Sequence, residues 1–291
     1  FHATSMYYTK LHPLYWAQEL TILGRGSVMY ETILTEVRGS TLVITFNRPD
    51  ARNAISTVMG QEITNAMNSF EADPNLRACV LTNTGNCFCA GSDLKEISAG
   101  THKRPTDEAG NDLGFAGITK RYIDKPLIAA INGKALGGGL EIVFACDLAV
   151  ASTDAIFGFP EPRVGLTAAG GGSLLRAGQM IPTKFANQLL LVAEPIDAQT
   201  AQSWGIINDV VPNEEVVDRA IELAEKIALG APLAIQYSKR TVYETMGETP
   251  VWPSKGWDIL ERYEQITYTS EDAHEGSTAF AEKRKPHWTG R

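Results

Sequence analysis

Residues 126–132, Pro-Leu-Ile-Ala-Ala-Ile-Asn, are an apolar run closed by turn-forming residues, and no other stretch limits the possible folds so much. The run reads as a strand buried on both faces, the kind found in parallel sheets covered by helices. Gly133 and Gly137-Gly138-Gly139 follow, and then an apolar helical stretch to residue 146. A second buried-type strand at 78–82 leads into a loop of small residues at 84–92. Strand, glycine-rich turn and helix in succession predict an α/β fold with at least some parallel strands.

Around this centre the pattern is regular. Residues 32–37 and 42–47 read as a hairpin joined at Arg38-Gly39-Ser40. Ser56 is placed to cap a helix to about Phe70, with Met59, Ile63, Met67 and Phe70 on one face. Short strands are expected at 147–151 and 155–159, and a polar surface loop at 98–112. Helical periodicity runs through 173–180, 182–192, 198–204 and 213–229, the last with Asn213 as N-cap. Composition changes near residue 195, marking the start of a helical C-terminal region.

At 291 residues and 44% hydrophobic content the chain can bury one large core. A net charge of −8 argues against bulk nucleic-acid binding, and no apolar run approaches the length of a membrane helix. The four cysteines include Cys87 and Cys89, but no His or second Cys pair completes a ligand set, so no metal is expected. Reduced thiols fit a cytoplasmic enzyme. Residues 1–28 read as an N-terminal extension, cloned or translated from upstream of Met29, with a worn transit peptide as the other reading. They lack the features of a secretory signal.

Two glutamates stand beside backbone-exposing loops. Glu141 follows the glycine triplet, and Glu161 lies in Phe157-Gly158-Phe159-Pro160-Glu161-Pro162. Taken singly, each has a structural explanation: Glu141 in the first turn of a helix, Glu161 in a proline-flanked turn. Together they can act on water as base and acid. The glycine loop and Cys87-Phe88-Cys89-Ala90-Gly91-Ser92 could each offer a main-chain N–H to an oxyanion. G-x-G-x-x-G is absent, and no histidine lies near the glycine-rich centre to build a nucleophile triad.

Three ordered blocks resemble the crotonase (enoyl-CoA hydratase/isomerase) superfamily. They are Phe88-Cys89-Ala90-Gly91-Ser92-Asp93-Leu94-Lys95, the stretch from Ile131 through Gly137-Gly138-Gly139 to Glu141, and Phe157-Gly158-Phe159-Pro160-Glu161-Pro162-Arg163-Val164-Gly165-Leu166. Asn47-Arg48-Pro49, Ala145-Cys146-Asp147 and the tail at 271–288 support them, and the likeness spans about residues 31–291. The resemblance implies a crotonase-like spiral of ββα units at 29–195 and a helical oligomerisation region at 196–291, in homotrimers or homohexamers. It implies hydration of an enoyl-CoA thioester, with Glu141 and Glu161 as the catalytic pair and the N–H groups of Ser92 and Gly138 as the oxyanion hole. Ala90, Asp93, Leu94, Lys95, Phe280 and Lys283 would bind coenzyme A, which belongs to the substrate; no separate cofactor is implied.

The alternatives are an isomerase or other acyl-CoA enzyme of the family, and a non-catalytic or RNA-binding relative. For the latter, Lys103-Arg104 and Lys283-Arg284-Lys285 are short basic runs. Ser92 departs from the Ala or Gly often found at its position, and 167–172 departs from the proline-containing loop of short-chain hydratases. With 98–112, that loop would shape the acyl pocket.

Overall fold

A six-stranded, mostly parallel sheet divides the protein into two cores. The computed structural model describes residues 29–248 and 254–291, so the reading of 1–28 lies outside the described residues. The chain opens with β1 (Ile33–Arg38) and β2 (Thr41–Phe46), the expected hairpin, in antiparallel register from Ile33↔Phe46 to Arg38↔Thr41. Helix α1 (Thr57–Ala72) begins where Ser56 accepts the Met59 N–H at 3.2 Å. That bond satisfies one of the free donors at a helix start. Met59, Ile63, Met67 and Phe70 all face inward and are fully buried.

Next come β3 (Ala78–Asn83), β4 (Cys87–Cys89), α2 (Leu94–Ser98), β5 (Leu127–Ile131), β6 (Lys134–Leu136) and α3 (Gly138–Ala145). β4 lies inside the segment expected to be a loop. Three residues are too few to show a period, and its partner is β6, far along the chain. The series continues with β7 (Leu148–Ser152), β8 (Ile156–Gly158), α4 (Ser173–Met180) and α5 (Thr183–Asn187). The single helix expected over 182–192 instead passes at Gln188–Val192 into a π turn, which Ala193 ends with φ 56°. The remaining elements are β9 (Ile196–Asp197), α6 (Ala198–Ser203), β10 (Asp209–Val211), α7 (Val216–Ala228), α8 (Pro232–Glu244), α9 (Lys255–Tyr268) and α10 (Glu271–Glu282).

The large sheet has the order β1-β2-β3-β5-β7-β10 and is parallel from β2 onward. Alternation along its strands separates the cores. Ile44, Leu81, Leu127, Ala129 and Ile131 face the larger one with α1. Val43, Val80, Ile128, Ala130 and Val150 face the smaller one, covered by Val216, Ala220, Ile221 and Ala224 of α7. Burying each large apolar side chain contributes roughly 1.5–3 kcal/mol.

The sheets run on past the change in composition near residue 195. β9 pairs with β8, β10 pairs with β7, and α7 roofs the smaller core. The purely helical part begins at α8. Asn213 is not the cap of α7: it lies in a 3-10 turn, Asn213–Glu215, and donates to Asp154 Oδ2 at 3.2 Å, leaving Glu215 at the N-cap. The preceding Pro212 cannot donate from its nitrogen and holds φ near −53°, which suits the tight turn. At the C-terminus, Asp272 accepts the N–H groups of Thr289 and Gly290, and Trp288 Nε1 donates to the Leu229 carbonyl. The tail is thus held against the end of α7. No helix of the described residues is long and apolar enough to cross a membrane.

Candidate active site

The smaller sheet, β4-β6-β8-β9, positions the site. β4, β6 and β8 run parallel, with Cys89 opposite Ala135 and Leu136 opposite Gly158. Neighbouring parallel strands deliver their outgoing loops to one edge, where open α/β sheets bind ligands. Ser92 leaves β4, Gly137 and Gly138 leave β6, and Glu161 leaves β8. Residues distant in sequence are thus brought together by register.

Two glycines make the approach possible. Gly137 has φ 54° and ψ −126°, and a Cβ there would stand 2.9 Å from Glu161 Oε1. A Cβ on Gly139 would lie 2.0 Å from the Cys89 carbonyl oxygen, so the β4 loop and the start of α3 meet main chain to main chain. The Gly138 N–H begins α3 and has no acceptor among the described residues. The bridge between Ile55 and Ser92 uses the Gly91 carbonyl and the Asp93 N–H, so the Ser92 N–H is also unbonded there. The two donors sit on abutting segments: a Cβ on Gly91 would be 3.4 Å from the Gly138 nitrogen.

Glu141 is buried in the first turn of α3, and its N–H is held by the Gly137 carbonyl. Its carboxylate meets Ser173 Oγ, which donates to Oε1 at 3.4 Å, and the bare Cα of Gly171. Glu161 starts the 3-10 turn Glu161–Val164 between Pro160 and Pro162. Its Oε2 is buried and has no hydrogen-bond partner among the described residues. Burial first, and then the charge of Glu141, raise the Glu161 carboxyl above its ordinary value, against the pull of its own N–H. A carboxyl held toward its neutral form beside a second carboxylate is an acid–base arrangement. Burial also pushes the Cys89 thiol up to about 12, which keeps it from serving as a thiolate nucleophile.

The residues expected to contact coenzyme A divide into two groups. Ala90, Asp93, Leu94 and Lys95 lie together at the end of β4 and the start of α2, with Leu94 and Lys95 exposed. The Asp93 carboxylate is already engaged: it caps α2 through the Lys95 N–H at 3.0 Å and pairs with Arg48 at 2.9 Å. Desolvation opposes its ionisation, but Arg48 and the cap prevail and its carboxyl is lowered. Phe280 and Lys283 stand exposed at the end of α10, whose tail packs on α7, and are not brought to the two glutamates within the chain.

Three neighbours of the site escape a reading of the sequence. Phe115 lies over Gly138, where a Cβ would be 2.5 Å from its ring, and walls the cleft. Its flanking glycines, Gly114 and Gly117, both at positive φ, were the available signal. Ser173 donates to Glu141 and Arg104 meets Glu141 across Gly170, where a Cβ would lie 3.4 Å from both, and neither carries a local signature. A cavity of about 570 Å³ lies between α8 and α9 around Tyr237 and Tyr263 and is lined by neither glutamate.

Comparison with known proteins adds independent findings. A profile of the family described as Enoyl-CoA hydratase/isomerase matches residues 36–291. Carnitinyl-CoA dehydratase of Proteus mirabilis is 39% identical over 270 residues, covering 90% of this chain and all of that protein. The crystal structure of an enoyl-CoA hydratase from Mycobacterium tuberculosis H37Rv superposes with a TM-score of 0.79 at 38% identity, covering 89% of this chain and 99% of that one. Carnitinyl-CoA hydratase from Mycobacterium avium gives 0.70 at 42% identity, covering 90% of this chain and all of that one.

Proposed function

Because the chain belongs to the crotonase family of enoyl-CoA hydratases and isomerases, we propose that it adds water across the α,β-double bond of an enoyl-CoA thioester and catalyses the reverse dehydration. The observation that carries this reading is the unpartnered Oε2 of Glu161, in a carboxyl that feels the charge of Glu141, beside two free main-chain N–H groups.

In this reading the thioester oxygen sits between the N–H groups of Ser92 and Gly138. Glu141 takes a proton from water as the water oxygen bonds to Cβ. The π electrons move onto the thioester oxygen, where fixed donors stabilise the enolate without reorganising. Glu161, which holds the same water, gives its proton to Cα. The proton left on Glu141 leaves through solvent, and Glu161 is reprotonated before the next turnover. Coenzyme A is part of the substrate, lying along Ala90 to Lys95. Phe280 and Lys283 would cover it from a neighbouring subunit of a homotrimer or homohexamer.

A second reading, dehydration of carnitinyl-CoA, is favoured by the names of the relatives. It uses the same two carboxylates in the reverse direction. An isomerase would need Glu161 alone. The test is a panel of crotonyl-CoA, its 3-enoyl isomer and carnitinyl-CoA with products read by mass spectrometry. Hydration of crotonyl-CoA that disappears in Glu141→Ala supports the proposal. Double-bond migration that survives Glu141→Ala, without water addition, would replace it with the isomerase reading.

A further inference from the structure

The position of Arg104 bears on which acyl group the site takes. Its Nη2 and Glu141 Oε2 both lie 3.4 Å from the point where a Cβ on Gly170 would stand. Segment 98–112, which the family resemblance assigns to the acyl pocket, therefore brings a guanidinium toward the Glu141 carboxylate through the gap that the absent side chain of Gly170 leaves. The two groups come close without forming an ion pair.

The other charged groups around this point decide whether the cation is neutralised. Asp112 lies 3.5 Å from Arg104 but 2.5 Å from Lys120. Lys120 is the largest cause of the lowered Asp112 carboxyl, so Asp112 is chiefly the partner of Lys120. On α4, Arg176 feels the charge of Glu141 while donating to the Gly171 and Thr119 carbonyls, which add no negative charge. Three cations, Arg104, Lys120 and Arg176, thus stand around two carboxyl groups, Glu141 and Asp112, while burial holds Glu161 toward its neutral form. The Arg104 side chain keeps 41% of its surface exposed, so a ligand can reach it.

We infer that Arg104 is a specificity-determining residue that favours enoyl-CoA substrates with a neutral or carboxylate-bearing acyl end and disfavours those with a quaternary ammonium. The inference rests on the hydratase reading for its reaction and on Arg104 for its selectivity. A carboxylate near Arg104 gains a charge-assisted hydrogen bond. A trimethylammonium, the group that carnitinyl carries, meets like charge and has no hydrogen to donate. The chain then differs in acyl preference from the carnitinyl-CoA relatives it resembles.

The test compares three enoyl-CoAs of matched length, ending in methyl, carboxylate or trimethylammonium, with wild type, Arg104→Gln and Arg104→Lys. Binding of the saturated thioesters is measured by calorimetry alongside kcat/KM. Wild type is expected to prefer the carboxylate end over the trimethylammonium end by about tenfold or more. Arg104→Gln should shrink that ratio at least about fivefold, and Arg104→Lys should keep most of it. A wild-type preference for trimethylammonium, or the same ratio in wild type and Arg104→Gln, overturns the inference. If wild type hydrates none of the three, the hydratase reading fails, and the binding ratios alone then support or overturn the charge preference.

Discussion

Glu161 stands directly over Gly137: a Cβ at Gly137 would lie 2.9 Å from Glu161 Oε1, and the carbonyl of the same glycine holds the N–H of Glu141. One residue without a side chain thus fixes the spacing of both carboxylates.

Gly137→Ala should therefore strain the backbone and displace Glu161 at once. Its φ of 54° with ψ −126° is a conformation that only glycine holds easily. The expected cost is about 1–3 kcal/mol of stability. Misplacing the acid should lower kcat by about 100-fold. Thermal melts and hydration kinetics on the same preparation check both.

Glu161 should also leave a pH signature. Its carboxyl is raised in the folded chain, chiefly by burial. The stability it contributes is present below its unfolded value and is lost as pH rises through the folded one. Glu161→Gln should raise Tm above wild type at about pH 8 and match it at about pH 4. Wild-type hydration should decline over the same rise in pH, as the proton for Cα is lost. A Tm difference independent of pH would contradict this.

The cap of α1 offers a test of the scaffold apart from the chemistry. Ser56→Ala removes the acceptor for the Met59 N–H. It should cost about 1 kcal/mol, which lowers Tm by about 2–4 °C in a chain of this size. Turnover at temperatures well below Tm should be unchanged, because α1 touches neither carboxylate.

The long amphipathic elements were legible in the sequence because each repeats its pattern over several turns or alternations. Ser56 with Met59, Ile63, Met67 and Phe70 announces α1, and 127–131 announces a strand buried on both faces. The second sheet was not legible. Its strands are two or three residues long, and its order depends on pairings such as Cys87 with Lys134. The two glutamates could be named from their glycine and proline surroundings. Their setting could not, since Ser173, Phe115 and Arg104 reach the site through tertiary contacts without a local period. The 195 boundary misled for a related reason: β9 and β10 are too short to register in composition, yet they bind 196–211 to the sheets.

The most direct measurement is a double-mutant cycle on crotonyl-CoA hydration with Glu141→Gln, Glu161→Gln and the pair. If both carboxylates act on one water, each single change should lower kcat by about 10²–10⁴. The double variant should then fall little below the worse single one, because groups acting as a unit are not additive. Full turnover in either single variant, or losses that simply multiply in the double, would contradict a shared water held by Glu141 and Glu161.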